Sequence, residues 1–152
     1  MAQSTLLAHD TTLIVLPWPD ADADRWGHEA RSRYVELFVL PILGPSATWL
    51  LRRLVDGLET YPEGYELDLP ETAVSLGLNY TPDRNGPFAR ALQRCVMFGY
   101  ARAVPYGLAV RSRFGNLSPR QLERLPAHLR SVHSEYALRA PSTADVTPSR
   151  SS

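Results

Sequence analysis

Along this chain the apolar positions change period several times, from the alternation of a strand to the three-and-four spacing of a helix, and the changes fall at Pro, Gly and capping residues. Thr11-Thr12-Leu13-Ile14-Val15-Leu16 is a strand-like run stopped by Pro17, and Pro17–Asp24 is a polar, acidic stretch expected to be a mobile loop. Arg31–Leu40 carries Tyr34, Val35, Phe38 and Val39 on one side of a helix that should close at Pro41. Gly44-Pro45-Ser46 opens the next, Pro45–Glu59, with Trp49, Leu50, Arg53, Leu54, Gly57 and Leu58 at helical spacing and Trp49 expected in the core.

The best-specified stretch is 68–114. Asp68-Leu69-Pro70-Glu71 combines an acidic N-cap, Pro in the first turn and Glu three residues after the cap, so a helix should start near Leu69. Ala73, Val74 and Leu76 give it an apolar side, and Gly77 is placed to end it. After the polar connection Asn79–Gly86, Asn85-Gly86-Pro87 caps a third helix running to Phe98. Phe88, Ala91, Leu92, Cys95, Val96 and Gly99 fall on one arc of it, and Arg90, Gln93, Arg94 and Met97 on the other. Two alternating runs follow, Ala101–Val104 and Leu108–Phe114, joined at Pro105-Tyr106-Gly107 as a hairpin on which Arg111 and Arg113 share a face.

Arg pairs bidentately with guanine and Gln with adenine, so Arg90, Gln93 and Arg94 suit the reading of a major groove. The same residues also suit an ordinary solvated helix face, since Arg and Gln are good helix formers. Arg111 and Arg113 can meet phosphates or can simply protect a strand edge by charge.

Glu66–Phe114 resembles the winged helix-turn-helix superfamily of bacterial transcription regulators. The matching elements are the strand Glu66–Leu69, the helix "PETAVSLGL", the helix "GPFARALQRCVMFGYAR" and the hairpin "AVPYGLAVRSRF". The resemblance implies a third helix that enters the major groove of double-stranded DNA through Arg90, Gln93 and Arg94, and a wing that touches the backbone through Arg111 and Arg113. The connection Asn79–Gly86 is longer than a tight helix-turn-helix allows, and Arg84 and Asn85 at its end are added candidates for phosphate contact. Many winged helices bind only proteins, so a protein-interaction module is the alternative.

The expected fold is therefore α+β and mostly helical: an N-terminal extension over 1–30, a winged helix domain with flanking helices over 31–138, and a disordered Pro/Ser/Thr-rich tail over 139–152. Ser118-Pro119-Arg120-Gln121 is a second capping box, Pro126 restarts the helix, and Leu129, Val132, His133 and Tyr136 form an apolar stripe to about Leu138. By the resemblance, a helix of this kind pairs with its twin, so a homodimer is expected.

Composition refines this picture in a few places. The formal charge is zero, but Arg84–Arg130 holds nine Arg against the single acid Glu123, while Asp56–Asp83 holds seven acids and no base. Opposite blocks of this kind suggest a basic and an acidic surface on one body. All sixteen basic residues are Arg. Cys95 is alone, which excludes an internal disulfide, and it sits on the apolar arc as a small hydrophobe. His128 and His133 lack metal-ligand spacing, and Asp20, Asp22 and Asp24 lack the Gly and Glu of a calcium loop. No phosphate-binding loop or nucleophile motif is present, so neither an enzyme nor a cofactor is expected. With no run long enough to span a bilayer and no basic-led signal, a cytoplasmic protein without membrane contact is expected. Trp49, Tyr34 and Phe38 are candidates both for an effector pocket and for simple core packing.

Overall fold

The alternation at Thr12–Pro17 is realised as strand β1, with Leu13 and Val15 buried and Thr12 exposed. In the computed structural model, which describes residues 11–136, β1 lies between β3 (Tyr65–Asp68) and β5 (Gly107–Val110), with β4 (Ala101–Val104) at the far edge. It runs antiparallel to β3, with Thr12 opposite Asp68, and parallel to β5, with Val15 opposite Leu108. A separate two-stranded ladder pairs β2 (His28–Glu29) with β6 (Arg113–Phe114). With its helices and this small mixed sheet the fold is α+β. The expected tail and the residues before 11 lie outside the described residues.

Short-range signals place most of the helices. The stretch after Pro17 forms helix α1 (Ala21–Trp26) where a mobile loop was expected, because the Asp20 carboxylate caps it by accepting the Ala23 N–H. Helix α2 spans 33–43 and passes through Pro41, where the sequence predicts an end. A proline inside a helix needs a break in the regular hydrogen-bond ladder, and a π-helical turn at Val35–Val39 provides one just before Leu40–Leu43. Tyr34, Val35, Phe38 and Val39 are buried as expected.

Helix α3 (Pro45–Thr60) buries Ala47, Thr48, Leu50, Leu51, Leu54, Val55 and Leu58. The buried stripe is rotated from the expected one, which leaves Trp49 54% exposed with the Arg52 guanidinium 5.2 Å from its ring centroid. Trp49 is therefore a surface residue and not a core residue. Helix α4 (Leu69–Ser75) begins as predicted, with the Asp68 carboxylate accepting the Glu71 N–H at 2.8 Å. It ends in a Schellman motif: Leu78 N–H bonds the Ala73 carbonyl, Gly77 N–H bonds the Val74 carbonyl, and Gly77 takes φ +77°. Its buried side is Leu69, Thr72 and Ala73, and Val74 is turned out at 69% exposure.

Helix α5 (Pro87–Met97) packs on α3, and the chain then enters the β4–β5 hairpin. The turn is Pro105-Tyr106 alone; Gly107, expected within the turn, is already paired with Val104. All four residues of β5 are buried, because the strand has β1 on one side and β4 on the other. Helix α6 (Pro119–Leu122) has the reciprocal Ser118–Gln121 capping box, and α7 (127–136) restarts after Pro126. The core is continuous from Val15 and Val110 in the sheet through Leu50, Leu54 and Leu92 to Phe38, Phe114 and Leu125.

Gly107 packs tightly against β1: a Cβ there would overlap the Ile14 carbonyl oxygen. Gly107→Ala should lower unfolding stability in urea by about 1–3 kcal/mol, whereas Gly115→Ala, with open space around its Cβ, should change it by less than about 0.5 kcal/mol. Equal effects would mean that the β1–β5 contact is looser than described.

Candidate nucleic-acid interface

Helix α5 is seated by Phe88, Ala91, Leu92 and Cys95, all buried, and also by Ala89. Cys95 Sγ lies 3.5 Å from the Ala47 carbonyl oxygen, and burial pushes the thiol pKa up to about 12. A thiol so placed stays protonated and acts as a packing group. The N-cap is Gly86, with no side-chain cap bond, so Asn85 does not cap the helix as expected. Tyr80 meets Phe88 edge-on at 6.2 Å and ties the connection 79–86 to the helix.

Four of the seven predicted site residues come together at the N-terminal end of α5. Arg90 Nε donates to the Asn85 carbonyl at 2.9 Å, and Gln93 Nε2 donates to the Arg84 carbonyl at 3.0 Å. These two bonds fix the preceding loop against the helix, so Arg84, Asn85, Arg90 and Gln93 form one patch. Arg84, Asn85 and Arg90 are exposed, and Gln93 is half-buried. The two terminal nitrogens of Arg90 have no protein acceptor among the described residues.

The other three are engaged elsewhere. Arg94 Nε and Nη2 donate to the carbonyls of Leu43 and Ile42 at 2.6 and 2.9 Å, and its guanidinium lies 5.1 Å from the Phe98 ring centroid. It thus satisfies the last carbonyls of α2, which a helix C-terminus otherwise leaves without partners, and does not join the free arc. Strand β5 ends at Val110, so Arg111 and Arg113 do not share a strand face. Arg111 donates to the Gly99 carbonyl (2.9 Å) and pairs with Asp20 (2.5 Å), with Trp18 under its guanidinium at 3.8 Å. Arg113 donates to the Gly27 carbonyl (2.9 Å) and pairs with Glu29 (3.1 Å).

Two exposed residues of the hairpin were not singled out from the sequence. Arg102 on β4 is exposed, with its guanidinium 4.8 Å from the centroid of the Trp18 ring, which Arg111 also contacts. Tyr106 at the turn is 80% exposed. The signal for Arg102 was the alternation Ala101-Arg102, which sends the two side chains to opposite faces. Beside the α5 patch, an open groove of about 390 Å³ separates Gly44 and the start of α3 from α5, with Arg90 on its wall.

The acidic block also takes on a location. Glu66 and Asp68 are exposed on edge strand β3, on the opposite face from buried Leu67. Asp20 is consumed as a helix cap and as the partner of Arg111; the Ala23 N–H above all, and then Arg111, holds its carboxyl below the usual range. Among the described residues no helix is long and apolar enough to cross a membrane. No family model, curated protein or solved structure matches the chain.

The two arginines of α5 should separate by effect. Arg94→Ala removes two charged hydrogen bonds to α2 and should cost about 1–3 kcal/mol of unfolding free energy, whereas Arg90→Ala should stay within about 0.5 kcal/mol. Urea denaturation checks both, and a neutral Arg94→Ala would show that α2 does not need this cap.

Proposed function

We propose that the chain is a non-enzymatic, duplex-DNA-binding regulator of winged-helix type, in which the N-terminal half of α5 faces the groove. The observation that carries this reading is the patch Arg84–Asn85–Arg90–Gln93, held as one unit by the Arg90 and Gln93 hydrogen bonds to the loop carbonyls. A loop held against its helix loses little freedom on binding, and the terminal nitrogens of Arg90 remain for a guanine edge or a phosphate. The element order supports it too: a helix (α3), a strand (β3), two helices (α4, α5) and a hairpin follow one another from Pro45 to Val110. Arg102 and the exposed Tyr106 take the backbone-contacting role that the sequence assigns to Arg111 and Arg113.

A protein-binding module is the second reading, favoured by a specific observation. Arg94, Arg111 and Arg113 are spent inside the molecule, whereas Trp49, Val74 and Met97 are large, apolar and exposed. The homodimer expected through the last helix belongs to the proposal as well, although that helix already buries His133 and packs Leu129 and Tyr136 against the core of its own chain.

Selection of purified protein against a pool of random-sequence duplexes tests the first reading, with an enriched motif as the expected result. On the enriched site Arg90→Ala should cost about 1–3 kcal/mol. Arg84→Ala should lower the slope of log K against log salt by roughly one unit. Arg113→Ala should leave that slope unchanged. Absence of enrichment, with weak binding that disappears as salt rises, would favour the protein partner.

A further inference from the structure

The contact between α7 and α2 turns on one polar pair set among aromatic rings. The Tyr34 hydroxyl lies 2.8 Å from His133 Nε2 and accepts the Leu117 N–H at 2.8 Å. Both side chains are buried, and Phe38 meets the His133 ring edge-on at 4.8 Å. His28 from β2 stacks flat on Tyr34, with ring centroids 3.7 Å apart, and its Nε2 lies 2.6 Å from Asn116 Oδ1. Tyr136, one turn beyond His133, closes the cluster against Tyr34 and Phe38.

Proton accounting gives this pair a direction. The Leu117 N–H occupies one lone pair of the Tyr34 oxygen, so the hydroxyl donates its own proton to His133 Nε2, which must be the unprotonated nitrogen of a neutral imidazole. A proton added at Nε2 sets a donor against a donor. The hydroxyl would then have to accept from both sides and turn its hydrogen toward the rings of Phe38, Tyr136 and His28. The titratable or charged groups around the pair are His28 from β2 and Tyr136 from α7. Tyr34 in turn acts on Tyr100, and Arg113 of β6 acts on His28. Among the described residues no carboxylate pairs with His133, so nothing compensates a positive ring.

We propose that the His133–Tyr34 contact is an acid-released latch, in which protonation of His133 frees helix α7 from α2. Opening would uncover Tyr34 and Phe38, now buried, and the inward side of α7 at His133, Leu129 and Tyr136, of which His133 is buried and the other two are half-buried. Burial lowers the His133 pKa below its ordinary 6.5, with the neighbouring His28 adding to the effect. Burial also lowers that of His28, against the Asn116 hydrogen bond and helped by Arg113. For histidines held neutral in this way the docked state has its full stability above the ordinary pKa and loses it as pH falls below that value. This inference does not depend on DNA binding.

Amide hydrogen exchange and histidine ring resonances of the full chain, followed by NMR from about pH 7.5 to about pH 5, test it. The expected result is a fall of about tenfold or more in the protection of residues 127–136, corrected for intrinsic exchange, with β1 and β5 protection unchanged. In His133→Gln, whose side-chain oxygen can accept from Tyr34 at every pH, the fall should vanish, while in His28→Gln it should persist. Protection independent of pH in the parent chain would overturn the latch, as would an equal fall in His133→Gln or loss of the fall in His28→Gln. The parent titration needs no variant: a His133 ring that titrates at or above the ordinary value with α7 still docked also refutes it.

Discussion

The parallel pairing of β1 with β5 is the contact on which the other features rest. Val15 to Pro17 align with Leu108 to Val110, residues more than ninety positions later in the chain, and Val15 and Val110 are fully buried there. The other edge of β1 is taken by β3, which runs directly into α4 through the Asp68 cap. One six-residue strand therefore joins the hairpin to the helical half. Burying β5 between two neighbours removes it from solvent and obliges Gly107 to have no side chain.

That arrangement decides what becomes of the arginines. As the chain leaves β5, Arg111 comes beside Trp18 and Asp20, which follow β1, and Arg113 comes beside Gly27 and Glu29. At the end of α2, the carbonyls of Ile42 and Leu43 take Arg94. The basic block counted along the sequence is thus larger than the basic surface. In the exposed set at α5, Arg90 and Gln93 bond only to the backbone of the loop just before them, a contact that costs no long-range partner.

Features governed by neighbours in sequence were legible beforehand. The caps at Asp68 and Ser118 and the stop at Gly77 each rest on interactions within about five residues, and each stands where the pattern puts it. Features set across the chain were not legible. Nothing near Arg94 announces Leu43 as its partner, and nothing near Arg111 announces Asp20. Trp49 shows a milder failure: Leu50, Leu54 and Leu58 fit two adjacent helical stripes, and only the position of α5 decides that Ala47, Leu51 and Val55 share the buried one. The helix after Pro17 has a local cap in Asp20 but buries none of its six residues, so no apolar stripe marks it in the sequence. In the candidate site, the local half (Arg84, Asn85, Arg90 and Gln93) was foreseeable and the tertiary half was not.

Native-state hydrogen exchange across the sheet in low denaturant tests the central claim, that β1 locks the hairpin and the helices into one cooperative unit. Amides of Val15, Ala109 and the buried face of α3 are expected to exchange with one common free energy, equal to that of global unfolding. Exchange of the β1 amides at a distinctly lower free energy, with α3 still protected, would show that the strand detaches on its own and would contradict it.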